Sequence, residues 1–182
     1  SELVSQTLLG TRVKVLKKQG EWYLIQTPDE YISWIDHGGI SIVSESEYIN
    51  YYKNPYIFSS VQGFAYSTVE RKAIISDLVV GSVLNVIDKI GGFYKIEYPD
   101  KRIGWVNEMD ISPMFNNSEK TTSDIINNSK QFIGVPYLWG GTSSKGFDCS
   151  GFTKTIYLMN GLVIPRDASQ QINEGLLVDQ NR

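Results

Sequence analysis

The chain has 182 residues, of which 41% are hydrophobic and 20% charged, with a net charge of −3. That balance describes a folded globular chain, and the absence of any Lys/Arg cluster sets aside nucleic acid and anionic membrane as partners. No apolar run approaches the roughly 18–20 residues of a membrane span, and one cysteine with one histidine gives no internal disulfide and no paired-ligand metal motif, so neither a metal nor another cofactor is expected.

An internal repeat organises the first two thirds. Residues 8–35 and 79–106 align without a gap at an offset of 71, with ten of 28 positions identical. The identities include Gly10/Gly81, Gly20/Gly91, Tyr23/Tyr94, Pro28/Pro99, Asp29/Asp100 and Trp34/Trp105. An ungapped match of that length predicts two copies of one module. In each copy an alternating strand runs to a glycine turn, a second strand follows, and a Pro-Asp turn precedes a third strand ending in Trp. Short strands with tight turns predict two small β-barrels, at 1–43 and 52–112, joined by a linker over 44–54. A second linker is expected over roughly 107–121, rich in Asn, Ser and charge. His37, in the run DHGG after the first barrel's last strand, reads as an exposed turn residue.

From 122 onward the pattern becomes helical. Ser123 and Asp124 give an N-cap signal, Ile125, Ile126, Phe132 and Ile133 mark one helix face, and Gly134 with Pro136 ends it. A glycine-rich loop leads to Asp148 and Cys149, which read as the N-cap and first residue of a second helix. That helix keeps Phe152, Ile156 and Met159 on one face and stops at Gly161. A short helical stretch from Ala168 through Glu174 closes the pattern. Unpaired amides and partial positive charge at a helix N-terminus favour a thiolate over a thiol, so Cys149 is the candidate nucleophile.

The run GVPYLWGGTSSKGFDCSGFTKTIY, followed by IPRDASQQ, resembles the NlpC family of cell-wall cysteine peptidases, and the paired modules before it resemble bacterial Src-homology-3 domains. The combination is most similar to the γ-D-glutamyl-L-diamino-acid endopeptidase subgroup. The resemblance implies an α+β chain: two all-β barrels, then the N-terminal helical part of a papain-like domain at 122–182. It implies Cys149 as nucleophile and Tyr137 as a second oxyanion donor, where the residues alone also allow a core aromatic. It implies that Asp167, Glu2 and Tyr31 hold the free N-terminal ammonium of a peptidoglycan stem peptide, L-Ala-γ-D-Glu-diamino acid. Asp167 alternatively caps the following helix, and Arg166 either neutralises it or leaves it free. Ser150 and Trp139 are further candidates for substrate contact. The subgroup's serine after the aspartate is here Ala168. Family enzymes take their histidine from strands downstream of the IPRDASQQ segment, so the base is expected on a segment beyond Arg182 and the 182 residues alone are expected to be inactive. A cell-wall peptide-binding module with an inert peptidase remnant is the alternative. The subgroup includes both envelope and cytoplasmic enzymes.

Overall fold

The computed structural model describes residues 2–114 and 121–177. Its β-rich first part holds β1 (Lys14–Gln19), β2 (Trp22–Gln26) and β3 (Ile32–Asp36), an antiparallel sheet in the order β1-β2-β3. After a helix, α1 (Glu45–Tyr51), come β4 (Pro55–Phe58), β5 (Gln62–Tyr66), β6 (Ile74–Val79), β7 (Val83–Ile90), β8 (Phe93–Glu97), β9 (Ile103–Asn107) and β10 (Ile111–Pro113). These seven form one sheet in the order β10-β4-β7-β8-β9-β5-β6.

The repeat holds at the level of single bonds. β2 and β3 map onto β8 and β9 at the same offset of 71. The first strand of each copy slips register at one place, between Val15 and Lys17 and between Val86 and Asp88. Each third strand ends in a short 3-10 turn, capped by Asp36 accepting from the Gly38 amide in one copy and by Asn107 accepting from the Met109 amide in the other. The copies differ in their cores. The second barrel buries Phe58, Leu78, Leu84, Ile96, Tyr98 and Val106 together, whereas Ile25 is the one buried residue of β1, β2 and β3.

Two expected linkers are partly structured. In 44–54, Ser44 accepts from the Glu47 amide while the Glu47 carboxylate accepts from the Ser44 amide, a capping box that starts α1. Tyr51 and Tyr52 then tie α1 to both barrels, donating to the carbonyls of Val83 and Gly10. In 107–121, β10 returns to pair with β4, and residues 115–120 lie outside the described residues.

The helical part packs on the second barrel. α2 (Thr122–Lys130) begins two residues before the start that Ser123 as cap suggested: Thr121 is the cap and Asp124 its reciprocal partner. β11 (Thr142–Ser143) and β12 (Gly146–Phe147) form a small hairpin, and α3 (Cys149–Met159) follows at once. Phe132, Phe147 and Ile156 bury themselves with Val80 of the barrel, and Phe132, Phe147 and Phe152 meet edge to face. Such ring pairs contribute about 0.5–1.5 kcal/mol each beyond their burial. α4 (Ala168–Gln171) is shorter than expected, because the amides of Asn173 and Glu174 bond back three residues instead of four. No helix among the described residues is long and apolar enough to cross a membrane.

Candidate active site

Asp148 organises the site. It caps α3 with Oδ1 accepting from the Gly151 amide at 2.7 Å, and its Oδ2 accepts from the Gly140 amide at 3.0 Å. One carboxylate thus fixes both the start of the helix and the glycine loop before it. Burial alone would raise the Asp148 pKa, but the hydrogen bonds and charge of Arg166, with the Gly151 and Gly140 amides, hold it below the ordinary carboxylate range. Cys149 is the first residue of α3 and is exposed. Its amide and that of Ser150 lie in the first turn, where amides have no partner within the helix and point outward.

Two glycines are demanded by close approach. A Cβ on Gly151 would sit 2.0 Å from the Gly141 carbonyl oxygen, and one on Gly140, at φ +76°, would sit 2.6 Å from the Leu3 oxygen. The second contact shows that the N-terminal arm lies directly on the loop. Further along the arm, Gln6 takes a hydrogen bond from the Thr142 amide at 2.9 Å.

Arg166 joins these pieces. Buried at 2% exposure, it donates to Asp148 at 2.5 and 3.2 Å, to the Ser150 hydroxyl at 2.9 Å, to Ser5 Oγ at 3.1 Å and to the Val4 carbonyl at 3.3 Å. Of the two possibilities for Arg166, the bonds fit the one that leaves Asp167 free: the guanidinium belongs to Asp148. The physical reason is burial, since Asp148 offers two desolvated oxygens already fixed by amides, a bidentate partner for the planar fork.

The remaining sequence candidates fall as follows. Tyr137 and Trp139 are solvent-facing at 67% and 61% exposure, so the Tyr137 ring is not a core aromatic. Ser150 is buried, its hydroxyl shared by Asp148 and Arg166. Asp167 precedes α4, its amide donating to Gln170. Tyr31 belongs to the first barrel but lies near the helical part: burial, then the charge of Asp167, raise its pKa. Glu2 is exposed, one residue before the Leu3 contact. His37 sits in the 3-10 turn, with Nδ1 3.3 Å from Glu21 and 3.6 Å from Asp36. No group of three His, Cys, Asp or Glu among the described residues could hold a metal ion. A cleft between the two barrels, walled by Arg12, Tyr23, Tyr48 and Tyr52 among others, contains none of the candidate residues.

Sequence reading missed the Arg166–Asp148 pair and the ion pair between Lys154 of α3 and Asp29 of the first barrel, at 2.6 Å. Asp29 is identical in both repeats, but that identity marks the turn and not the ion pair, since Asp100 bonds Arg102 within its own turn.

Comparison with known proteins agrees with this layout. The bacterial dipeptidyl-peptidase Sh3 domain matches residues 1–40, the GW (Gly-Tryp) dipeptide domain residues 42–112, where the dipeptide is Gly104–Trp105, and the NlpC/P60 family residues 134–181. The γ-D-glutamyl-L-lysine dipeptidyl-peptidase of Bacillus cereus (strain ATCC 10987) is 29% identical over 99% of this chain and 57% of its own length. The protein of the same name from Bacillus subtilis (strain 168) is 32% identical over 94% of this chain and 58% of its own. A crystal structure of an NlpC/P60 family protein from Bacillus cereus ATCC 10987 superposes with a TM-score of 0.84 at 27% identity, over 98% of this chain and 62% of that one. The chain therefore spans less than two thirds of the length of each of these relatives. The similarity is thus to an NlpC/P60 domain in the last third, to a bacterial Sh3 domain over the first strands and to a GW domain over the strands between.

Proposed function

We propose that this chain carries the nucleophile and the amino-end recognition site of a cysteine endopeptidase that cuts the γ-D-glutamyl–diamino-acid bond of peptidoglycan stem peptides with a free N-terminal L-Ala. One observation carries the reading: an exposed cysteine at the first position of a helix whose cap, Asp148, is locked by buried Arg166. The relatives named for γ-D-glutamyl-L-lysine dipeptidyl-peptidase activity support the bond and the substrate class.

In this reading the Cys149 thiolate attacks the γ-carbonyl carbon of D-Glu. The oxyanion that forms takes hydrogen bonds from a first-turn amide of α3 and from the Tyr137 hydroxyl. The C–N bond then breaks, the amine of the diamino acid leaves with a proton from the general acid, and a thioester remains. Water, activated by the same group as base, releases L-Ala-γ-D-Glu. Asp167, Glu2 and Tyr31 hold the ammonium of L-Ala, Trp139 walls the groove, and Ser150 acts from beneath by holding Asp148 and Arg166. His37, paired with Glu21 on the first barrel, is not that base, and we assign the base to a histidine on a further segment of the NlpC/P60 domain.

The test is hydrolysis of L-Ala-γ-D-Glu-L-Lys by this chain supplemented with the rest of an NlpC/P60 domain. Release of L-Ala-γ-D-Glu, lost in Cys149→Ala, supports the enzyme. Peptide binding without hydrolysis in the supplemented protein supports the alternative, a wall-peptide binding module.

A further inference from the structure

The two copies of the Pro-Asp turn share a backbone and differ in what their aspartate holds. In each, the third turn residue has a positive φ, 64° at Glu30 and 70° at Lys101. In each, one pair of backbone bonds closes the turn: the Thr27 amide to Tyr31 at 3.0 Å and the Glu30 amide to Thr27 at 2.9 Å, matched by Tyr98 to Arg102 and Lys101 to Tyr98, both at 2.9 Å. In the second copy the turn satisfies itself. Asp100 accepts from the Arg102 amide at 3.1 Å and from Arg102 Nε at 2.7 Å, on an exposed surface.

The first copy has Tyr31 where the second has Arg102, so Asp29 has no cation within its own turn. Yet the Asp29 side chain is 2% exposed, far more buried than Asp100 at 45%. One oxygen accepts from Thr27, and the other takes Lys154 Nζ of α3 at 2.6 Å. A desolvated carboxylate needs this one cation, since removing it strands a buried charge.

We propose that Asp29 and Lys154 form a latch that docks the first barrel onto the Cys149 helix and so fixes Tyr31 in the amino-end pocket it shares with Asp167. The inference rests on the proposed reading of Tyr31 and Asp167 as the ammonium site. Lys154 lies five residues after Cys149 on the same helix, and Tyr31 two residues after Asp29 on the same turn. Nucleophile, latch and selector therefore move as one piece. Tyr31 feels the charge of Asp167 across this junction, which a barrel swung away from α3 would abolish. Asp29 and Lys154 are positioning residues: neither touches the peptide, and both set how tightly the pocket closes around a small ammonium and how firmly it rejects a blocked amine.

The test is calorimetric binding of L-Ala-γ-D-Glu and of its N-acetyl form to the 182-residue chain, which needs no catalytic base. The chain binds the free amine more tightly. Lys154→Met and Asp29→Asn lower the ratio of the two affinities about tenfold, the size of effect expected when a pocket loses its rejection of the wrong ligand. Lys154→Arg keeps the ratio, and so does Asp100→Asn, the equivalent change in the second repeat. Melting curves establish that each variant is folded. Should Lys154→Met not fold, the neutral pair Asp29→Asn/Lys154→Met carries the same test. A folded Lys154→Met with an unchanged ratio overturns the latch. A parent chain with no preference for the free amine overturns the reading of Tyr31 and Asp167 instead. In that case hydrogen exchange decides the docking: lost protection at residues 27–31 in Lys154→Met upholds it, and unchanged protection overturns it.

Discussion

Arg166 grips Asp148 with both terminal nitrogens, at 2.5 and 3.2 Å, and the same guanidinium holds the Val4 carbonyl of the N-terminal arm. The cap of the Cys149 helix and the segment carrying Glu2 are thereby fixed by one side chain. Arg166→Met leaves Asp148 buried and unpaired, and such a loss costs about 3–5 kcal/mol. Chemical unfolding followed by tryptophan fluorescence reads it, and the arm, no longer held by Arg166 at Val4 and Ser5, becomes accessible to protease.

The pair also sets an acid limit. The folded Asp148 carboxyl titrates below its unfolded counterpart, whose value is about 3.9. The unfolded chain therefore takes up this proton first, so the stabilisation is complete above that value and is lost as pH falls through the folded one. Unfolding free energies of the parent and Asp148→Asn should differ by a constant amount from pH 7 down to about 5, and the gap should narrow below about 4.

Gly151, in the first turn of α3, and Gly161, just past its end, make a matched contrast. An alanine Cβ at Gly151 meets the Gly141 oxygen at 2.0 Å, whereas at Gly161, φ +79°, nothing lies within 4 Å. Gly161→Ala carries only the left-handed backbone penalty, about 1 kcal/mol. Gly151→Ala must push the loop off the helix, at about 1–3 kcal/mol or more, and it slows alkylation of Cys149 by a substrate-like reagent while Gly161→Ala does not.

His37→Asn changes little. The imidazole is exposed and its partners are surface carboxylates. Such substitutions shift stability by within about 0.5 kcal/mol, and hydrolysis by the supplemented protein is unaffected. A large loss of hydrolysis would return His37 to the site.

Much of this arrangement could be read from residues near each other in the chain. The repeat marked the strands, the turns and even the Trp positions, because module copies preserve local pattern. Asp148 as cap and Cys149 as first helical residue followed from a local rule. The capping box that starts α1 was equally local, in Ser44 and Glu47, but was hidden inside a stretch composed like a linker. The contacts that assemble the site were not legible. Arg166 and Ser5 are 161 residues apart, and Lys154 and Asp29 are 125 apart. Nothing in either neighbourhood announces such a pairing, and burial, which selects it, is a property of the fold. Family resemblance points to Tyr31, but nothing local to it announces the Asp29–Lys154 ion pair that joins its turn to α3.

The most direct measurement is mass spectrometry of the intact chain after exposure to L-Ala-γ-D-Glu bearing an electrophilic ketone at the scissile position. One covalent adduct, located at Cys149 and suppressed by free L-Ala-γ-D-Glu but not by its N-acetyl form, is the predicted result. Labelling no faster than that by a plain alkylating reagent, and unaffected by the dipeptide, would contradict it.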